Sequence, residues 1–152
     1  QRYRLGPNIQ NCRHWIGVSD ADLTGVDALT TQNAAAWRFS TGAGDGTAGA
    51  GSTPVFAVTT CDGSGTPTTT ITAIAAANNT TKPEGYIFKT LLLPSSTSFY
   101  VDLNDGNGFQ FVATHTTKLP GNAVMMKTRR TVTTLTTAGK RNGLGKEAVA
   151  FN

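Results

Sequence analysis

Runs of β-branched and aromatic residues recur along this chain, and Gly, Pro, Asn or Asp cut each of them short. Turn residues that arrive roughly every 8–12 positions leave room for many short strands and little else, which argues for a sandwich or a barrel. The stretches 14–18 (HWIGV), 34–40 (AAAWRFS), 54–60 (PVFAVTT) and 68–74 read as strands, followed by apolar, aromatic runs at 84–93 and 98–101. Ala35, Trp37 and Phe39 fall on one face at the two-residue period of a strand. The residues from Phe109 to His115 alternate in the same way, so Phe109, Phe111 and Ala113 are expected on one half-buried face. Between 99–102 and that run lies 103–108, a loop of Asn, Asp and Gly suited to a hairpin with positive φ. The stretch 127–137 (KTRRTVTTLTT) is a further strand whose Val132 and Leu135 fall on opposite faces, so it needs a bulge or two-sided burial. Residues 1–13, 19–32 and 41–53 read as polar lead-in or loop, and the Ala-rich continuation after Ile74 stays open between strand and helix.

The composition agrees. Gly and Thr are abundant while charged residues make up 14% of the 152 residues, a balance that favours strands and turns over helices. The length suits one domain, expected over 1–139, with an extended basic tail at 140–152. No apolar run reaches the roughly 18 residues of a spanning helix, so no membrane partner is expected. The chain begins with Gln1, which reads as a processed product, a truncated piece or part of something longer. Cys12 and Cys61 could form one bridge in an oxidising compartment or sit apart as buried small side chains.

The net charge of +4 is unevenly placed. After Asp105 come Lys118, Lys127, Arg129, Arg130, Lys140, Arg141 and Lys146, against Glu147 alone. Lys127, Arg129, Arg130, Lys140, Arg141 and Lys146 are the candidates for contact with nucleic acid or an acidic neighbour in an assembly. A solvated strand face followed by an extended arm is the stronger reading, because these cations are spread out and not interleaved with stacking aromatics.

Several segments, taken in order, resemble a known family. WIGVSDAD at 15–22, AAAWRFSTGAGDG at 34–46, FYVD at 99–102 and FVATHTTKLPG at 111–121 are similar to the concanavalin A-like, or laminin G-like, domain of phage and phage-derived proteins. The resemblance covers roughly 15–132 and implies an all-β fold, a two-sheet antiparallel jelly roll often carried by fibres, spikes and capsid decorations. Two departures stand out. The turn at 103–108 is longer than a bare Asp-Gly, and only 14 residues precede Trp15 where the family carries further strands. The sandwich is therefore expected to be completed by a missing segment or a neighbouring subunit.

Folds of this kind also host glycoside hydrolases, which need two carboxylates about 5–10 Å apart, set on one strand as a Glu-x-Asp-x-x-Glu cluster. The glutamates here are Glu84 and Glu147, and neither has an Asp within five positions. That activity is excluded. His14 and His115 are the only possible bases of a triad, but no nucleophile-elbow signature accompanies either, and both read as structural or surface histidines. Two isolated histidines and two isolated cysteines make a poor zinc site, and 41–51 lacks the Gly-Lys-Ser/Thr ending of a phosphate-binding loop. Counted from Asp102, the loop fails the EF-hand register, so no cofactor is expected and calcium stays open only through an irregular loop.

Sugar binding is harder to dismiss. It needs an exposed aromatic beside hydrogen-bonding groups, and Trp15, Trp37, Tyr86 and Tyr100 are the aromatic candidates. Trp15 and Trp37 read as core. Tyr100 points opposite to Phe99 and Val101, so Tyr100 with Asp102, Asn104, Asp105 and Asn107 forms the candidate glycan site. Asn78 and Asn79 head two overlapping glycosylation acceptors, relevant only in a eukaryotic secretory route.

The expectation is thus a non-catalytic virion structural protein, a decoration, spike or tail-fibre module on a virion surface or extracellular appendage. Its expected partners are other copies of itself or other virion proteins. A carbohydrate-binding module recognising cell-surface glycan is the alternative, and a capsid subunit with a nucleic-acid-contacting basic arm the weaker one.

Overall fold

The computed structural model describes residues 2–7, 9, 12–24, 26, 28–41 and 54–121, together with the backbone of 127–134 and 143–144. Ten strands follow in order: β1 (Arg2–Arg4), β2 (Cys12–Ser19), β3 (Asn33–Ser40), β4 (Val55–Asp62), β5 (Thr68–Ala75), β6 (Tyr86–Leu93), β7 (Ser96–Asp102), β8 (Phe109–His115), β9 (Lys127–Thr134) and β10 (Gly143–Leu144). They form a two-sheet antiparallel β-sandwich. Sheet I runs β10-β1-β6-β7-β8 and sheet II runs β5-β4-β3-β2-β9. The described residues contain no helix, and the Ala-rich stretch after β5 turns directly into an isolated bridge between Asn78 and Leu5. Strands adjacent in sequence pair as two meanders, an order that by itself does not establish a jelly roll.

Period-two patterning explains the core. Ala35, Trp37 and Phe39 of β3 face sheet I, where they meet Phe88, Phe99 and Val101. Trp37 lies 4.4 Å from Phe88, 5.9 Å from Phe99 and 6.5 Å from Phe56, ring centre to ring centre. Each such ring, fully buried, contributes about 1.5–3 kcal/mol by leaving water. Both neighbours of Trp37 on the strand are also buried, because sheet II is covered on its other face as well. There Leu23, Val26 and Leu29 of the 19–32 loop pack on Trp15, Ala34, Ala36 and Cys61. Trp15 Nε1–H donates to Val26 O at 2.9 Å, and the Asp20 carboxylate accepts from the backbone N–H and side-chain amide of Asn33, each at 3.0 Å. The loop is thereby fastened to the sheet at both ends.

Cys12 belongs to the inter-sheet core and Cys61 to the cluster on the other face of sheet II; both are buried and free, so they do not bridge. Within the expected tail, Gly143 and Leu144 form β10 and pair with Arg4 and Tyr3 of β1. The remainder of 140–152 lies outside the described residues, as do 42–53 and the side chains of Val132 and Leu135. Each sheet reaches five strands within the chain itself.

Candidate functional site

Among the described residues, four of the five large apolar side chains left exposed, Leu92, Leu93, Phe109 and Phe111, belong to sheet I; the fifth is Ile71 on β5 of sheet II. Tyr86 and Phe88 of β6 point into the sandwich, so Ile87, Lys89, Leu91 and Leu93 point out. On β7, Phe99 and Val101 are buried, and Tyr100 and Asp102 face out between them. The expected shared face of Phe109, Phe111 and Ala113 needs correction. The β7–β8 register steps from Phe99↔Ala113 to Tyr100↔Phe111, which leaves Val112 without a partner in a bulge. The extra residue reverses the alternation. Val112 and Ala113 pack against the core, while Phe111 is 63% and Phe109 48% exposed.

A row of outward side chains therefore crosses three strands, Lys89 to Tyr100 to Phe111, each opposite the next in register. Tyr100 and Phe111 meet edge to face, with centroids 5.8 Å apart at 70°. Lys89 Nζ lies 5.2 Å from the Tyr100 ring centre and 5.6 Å from that of Phe109, within cation–π range of both. Asp102 sits opposite Ile87 on one side and Phe109 on the other. Among the expected glycan residues, Tyr100 and Asp102 come together on this face. Phe109, Phe111, Lys89 and Leu93 join them, none of which the sequence singled out as site residues.

Asn104, Asp105 and Asn107 lie beyond the face, in the hairpin tip. Asn104, Gly106 and Gly108 take positive φ of 54°, 88° and 70°, as a tight tip of Asn and Gly allows. Asp102 Oδ1 accepts from Asn104 N–H at 2.7 Å, and Asp105 Oδ1 from Asn107 N–H at 3.1 Å. That last bond, from the Asn107 N–H, holds the exposed Asp105 carboxyl below its ordinary value. The Asn104 amide donates to Gly85 O at 2.9 Å. One oxygen of each carboxylate shapes the turn, and among the described residues no three His, Cys, Asp or Glu side chains gather as a metal-holding group. Trp15, Trp37 and Tyr86, the other aromatic candidates, are buried. The hollow beside Trp15 and Arg38 holds little more than a water molecule.

Both histidines are buried between the sheets. His14 bonds Tyr3 Oη through Nδ1, and its Nε2 is 3.3 Å from Cys12 Sγ. His115 ties β8 to β4 and β5: Nδ1 meets Thr60 Oγ1 and Nε2 meets Thr70 Oγ1, each at 2.9 Å. The Thr60 hydroxyl also lies 3.3 Å from Thr117 O, which can accept its proton. Burial pushes the imidazole below its ordinary value of 6.5. The folded value is lower than the unfolded one, so the stability contributed by the neutral ring is fully present above 6.5 and is withdrawn as pH falls through the folded value. The thermal midpoint is thus expected to decline on acidification already in the histidine range, before the carboxylates titrate. In His115→Gln that part of the decline should vanish; an unchanged profile would show that another group carries it.

Of the expected basic contacts, Lys127, Arg129 and Arg130 belong to β9 at the margin of sheet II, opposite Ser19, Gly17 and Ile16 in the backbone register. Lys140, Arg141 and Lys146 lie outside the described residues.

No protein-family model, no curated protein and no solved structure matches the chain. The similarity to concanavalin A-like domains therefore rests on the sequence segments alone.

Proposed function

We propose that the chain is a non-catalytic structural module of a virion surface, of the decoration, spike or fibre kind, which works by assembling with copies of itself or with other virion proteins. One observation carries the assembly half of this reading. β8 ends sheet I and β5 ends sheet II, and the two margins lie side by side, tied by His115–Thr70 and by Thr68–Thr117 at 2.9 Å. Neither strand contains a charged residue or a proline, the usual devices that keep a margin from pairing with another chain. Among the described residues nothing pairs with the outer side of either strand. The bulge in β8, and the register shift in β4–β5 between Val55 and Ala57, limit straight pairing to short runs, which favours a specific neighbour over an open-ended stack. The Thr- and Gly-rich, weakly charged composition and the phage-type segments support the virion half.

Native mass measurement at micromolar concentration tests it. The expected species is an oligomer that falls apart when a lysine is placed on each margin, as Ile71→Lys with Gln110→Lys, both at exposed positions. A stable monomer, or an oligomer indifferent to both lysines, would overturn assembly through this margin.

A further inference from the structure

We propose that the outer face of sheet I is a binding track for an acidic polysaccharide, a use of the molecule separate from pairing along its margin. Exposed aromatic surface of this extent on a rigid sheet marks a contact site. The row from Lys89 through Tyr100 to Phe111 spans about 10 Å across three strands, given about 4.8 Å between neighbours. Its rings stand open at the surface, Phe111 63% and Phe109 48% exposed. Such a surface suits an extended chain of sugar rings and has no depth to enclose a single small molecule.

The groups on the face match that ligand. Phe111, the most exposed ring, offers its face to the C–H side of a pyranose, and Tyr100 braces it edge-on. Lys89 supplies a cation between the rings. On the flanking strand β1, Tyr3 points inward, so the exposed Arg2 and Arg4 point out beside β6. Against these three cations the described residues of the face carry one carboxylate, Asp102, one oxygen of which already accepts from Asn104 N–H. The excess positive charge calls for an anionic partner, and Asp102 retains an oxygen for a sugar hydroxyl.

The same features disfavour the other occupants. A second copy laid face to face would oppose one excess of positive charge to another. Single-stranded nucleic acid needs successive open rings for its bases, whereas here Lys89 lies over two of the three rings, Tyr100 and Phe109, and the third, Phe111, stands at 70° to Tyr100.

Calorimetric titration with polygalacturonate oligosaccharides, neutral dextran oligosaccharides and oligo-dT tests the proposal on the whole chain. The uronate is expected to bind at least about tenfold tighter than dextran, with binding that weakens as salt rises. Phe111→Ala, at an exposed position that leaves the core untouched, should lower uronate affinity roughly tenfold or more, and Lys89→Gln should erase much of the preference over dextran. Circular dichroism confirms that each variant is folded; should Phe111→Ala fail that check, Lys89→Gln decides alone through the uronate-to-dextran ratio. No uronate binding, equal binding of dextran, tighter binding of oligo-dT, or uronate binding unchanged in both variants would each overturn the proposal. So would a Phe111→Ala protein that loses self-association while the Ile71→Lys, Gln110→Lys protein keeps it, since the occupant would then be a second copy.

Discussion

Replacing Trp37 by alanine is expected to remove about 3–5 kcal/mol of stability, the range for truncating a fully buried Trp or Phe. Trp37 is fully buried and its ring contacts Phe56, Phe88 and Phe99, so it joins sheet II to two strands of sheet I. Alanine would leave a void that three rings from different strands cannot close together without disturbing their own rotamers. In a domain whose whole stability is about 5–15 kcal/mol, that loss takes a large share. Trp37→Phe should cost far less. The Trp37 Nε1–H is buried and has no hydrogen-bond partner among the described residues, so phenylalanine loses volume but also removes an unsatisfied donor. Urea unfolding of the two variants measures the difference. Equal losses for Ala and Phe would show that cavity size does not govern this position.

The part of the fold that follows from strand alternation was legible before any coordinates. Ala35, Trp37 and Phe39 share the inner face, Tyr100 stands opposite Phe99 and Val101, and the 103–108 loop takes the positive φ its Asn and Gly suggest. What resisted reading depends on long-range register. A bulge is a property of two paired strands, and nothing in FQFVATH marks Val112 as the residue left out. One unpartnered residue sent Phe109 and Phe111 to solvent, and with them most of the candidate site. The same limit hid β1. Three residues, Arg2 to Arg4, have no period of their own and become a strand only because β6 and β10 bracket them. The double covering of β3 was likewise invisible, since the 19–32 loop carries its Leu23 and Leu29 at no regular spacing.

These two facts meet in the proposed track. Its rings come from β7 and β8, where the bulge sets the phase, while two of its three cations come from β1, which has to be held flush against β6 for Arg2 and Arg4 to reach the face. The attachment of β1 is narrow, with two residue pairs to β6 and two to β10. The turn that enters β6 therefore matters more than its length suggests.

That turn rests on Gly85. Gly85→Ala is expected to cost about 2–4 kcal/mol, combining a strained backbone with a steric clash. The residue has a φ of +72°, and a Cβ there would lie 2.3 Å from Tyr3 O and 2.6 Å from Arg4 Cγ. The first of those atoms is backbone of β1 and cannot swing aside, so alanine has to push the strand away from β6. Gly106 provides the control: its φ is +88°, but an added Cβ there meets nothing within 4 Å. Gly106→Ala should therefore cost only the backbone term, about 1–2 kcal/mol. Thermal unfolding separates the two, and amide exchange locates the damage, with protection lost around Tyr3 and Tyr86 in Gly85→Ala and retained there in Gly106→Ala. If both alanines lower the midpoint equally and leave exchange at Tyr3 unchanged, the close approach of β1 to this turn does not hold the strand, and Arg2 and Arg4 lose their fixed place beside the aromatic row.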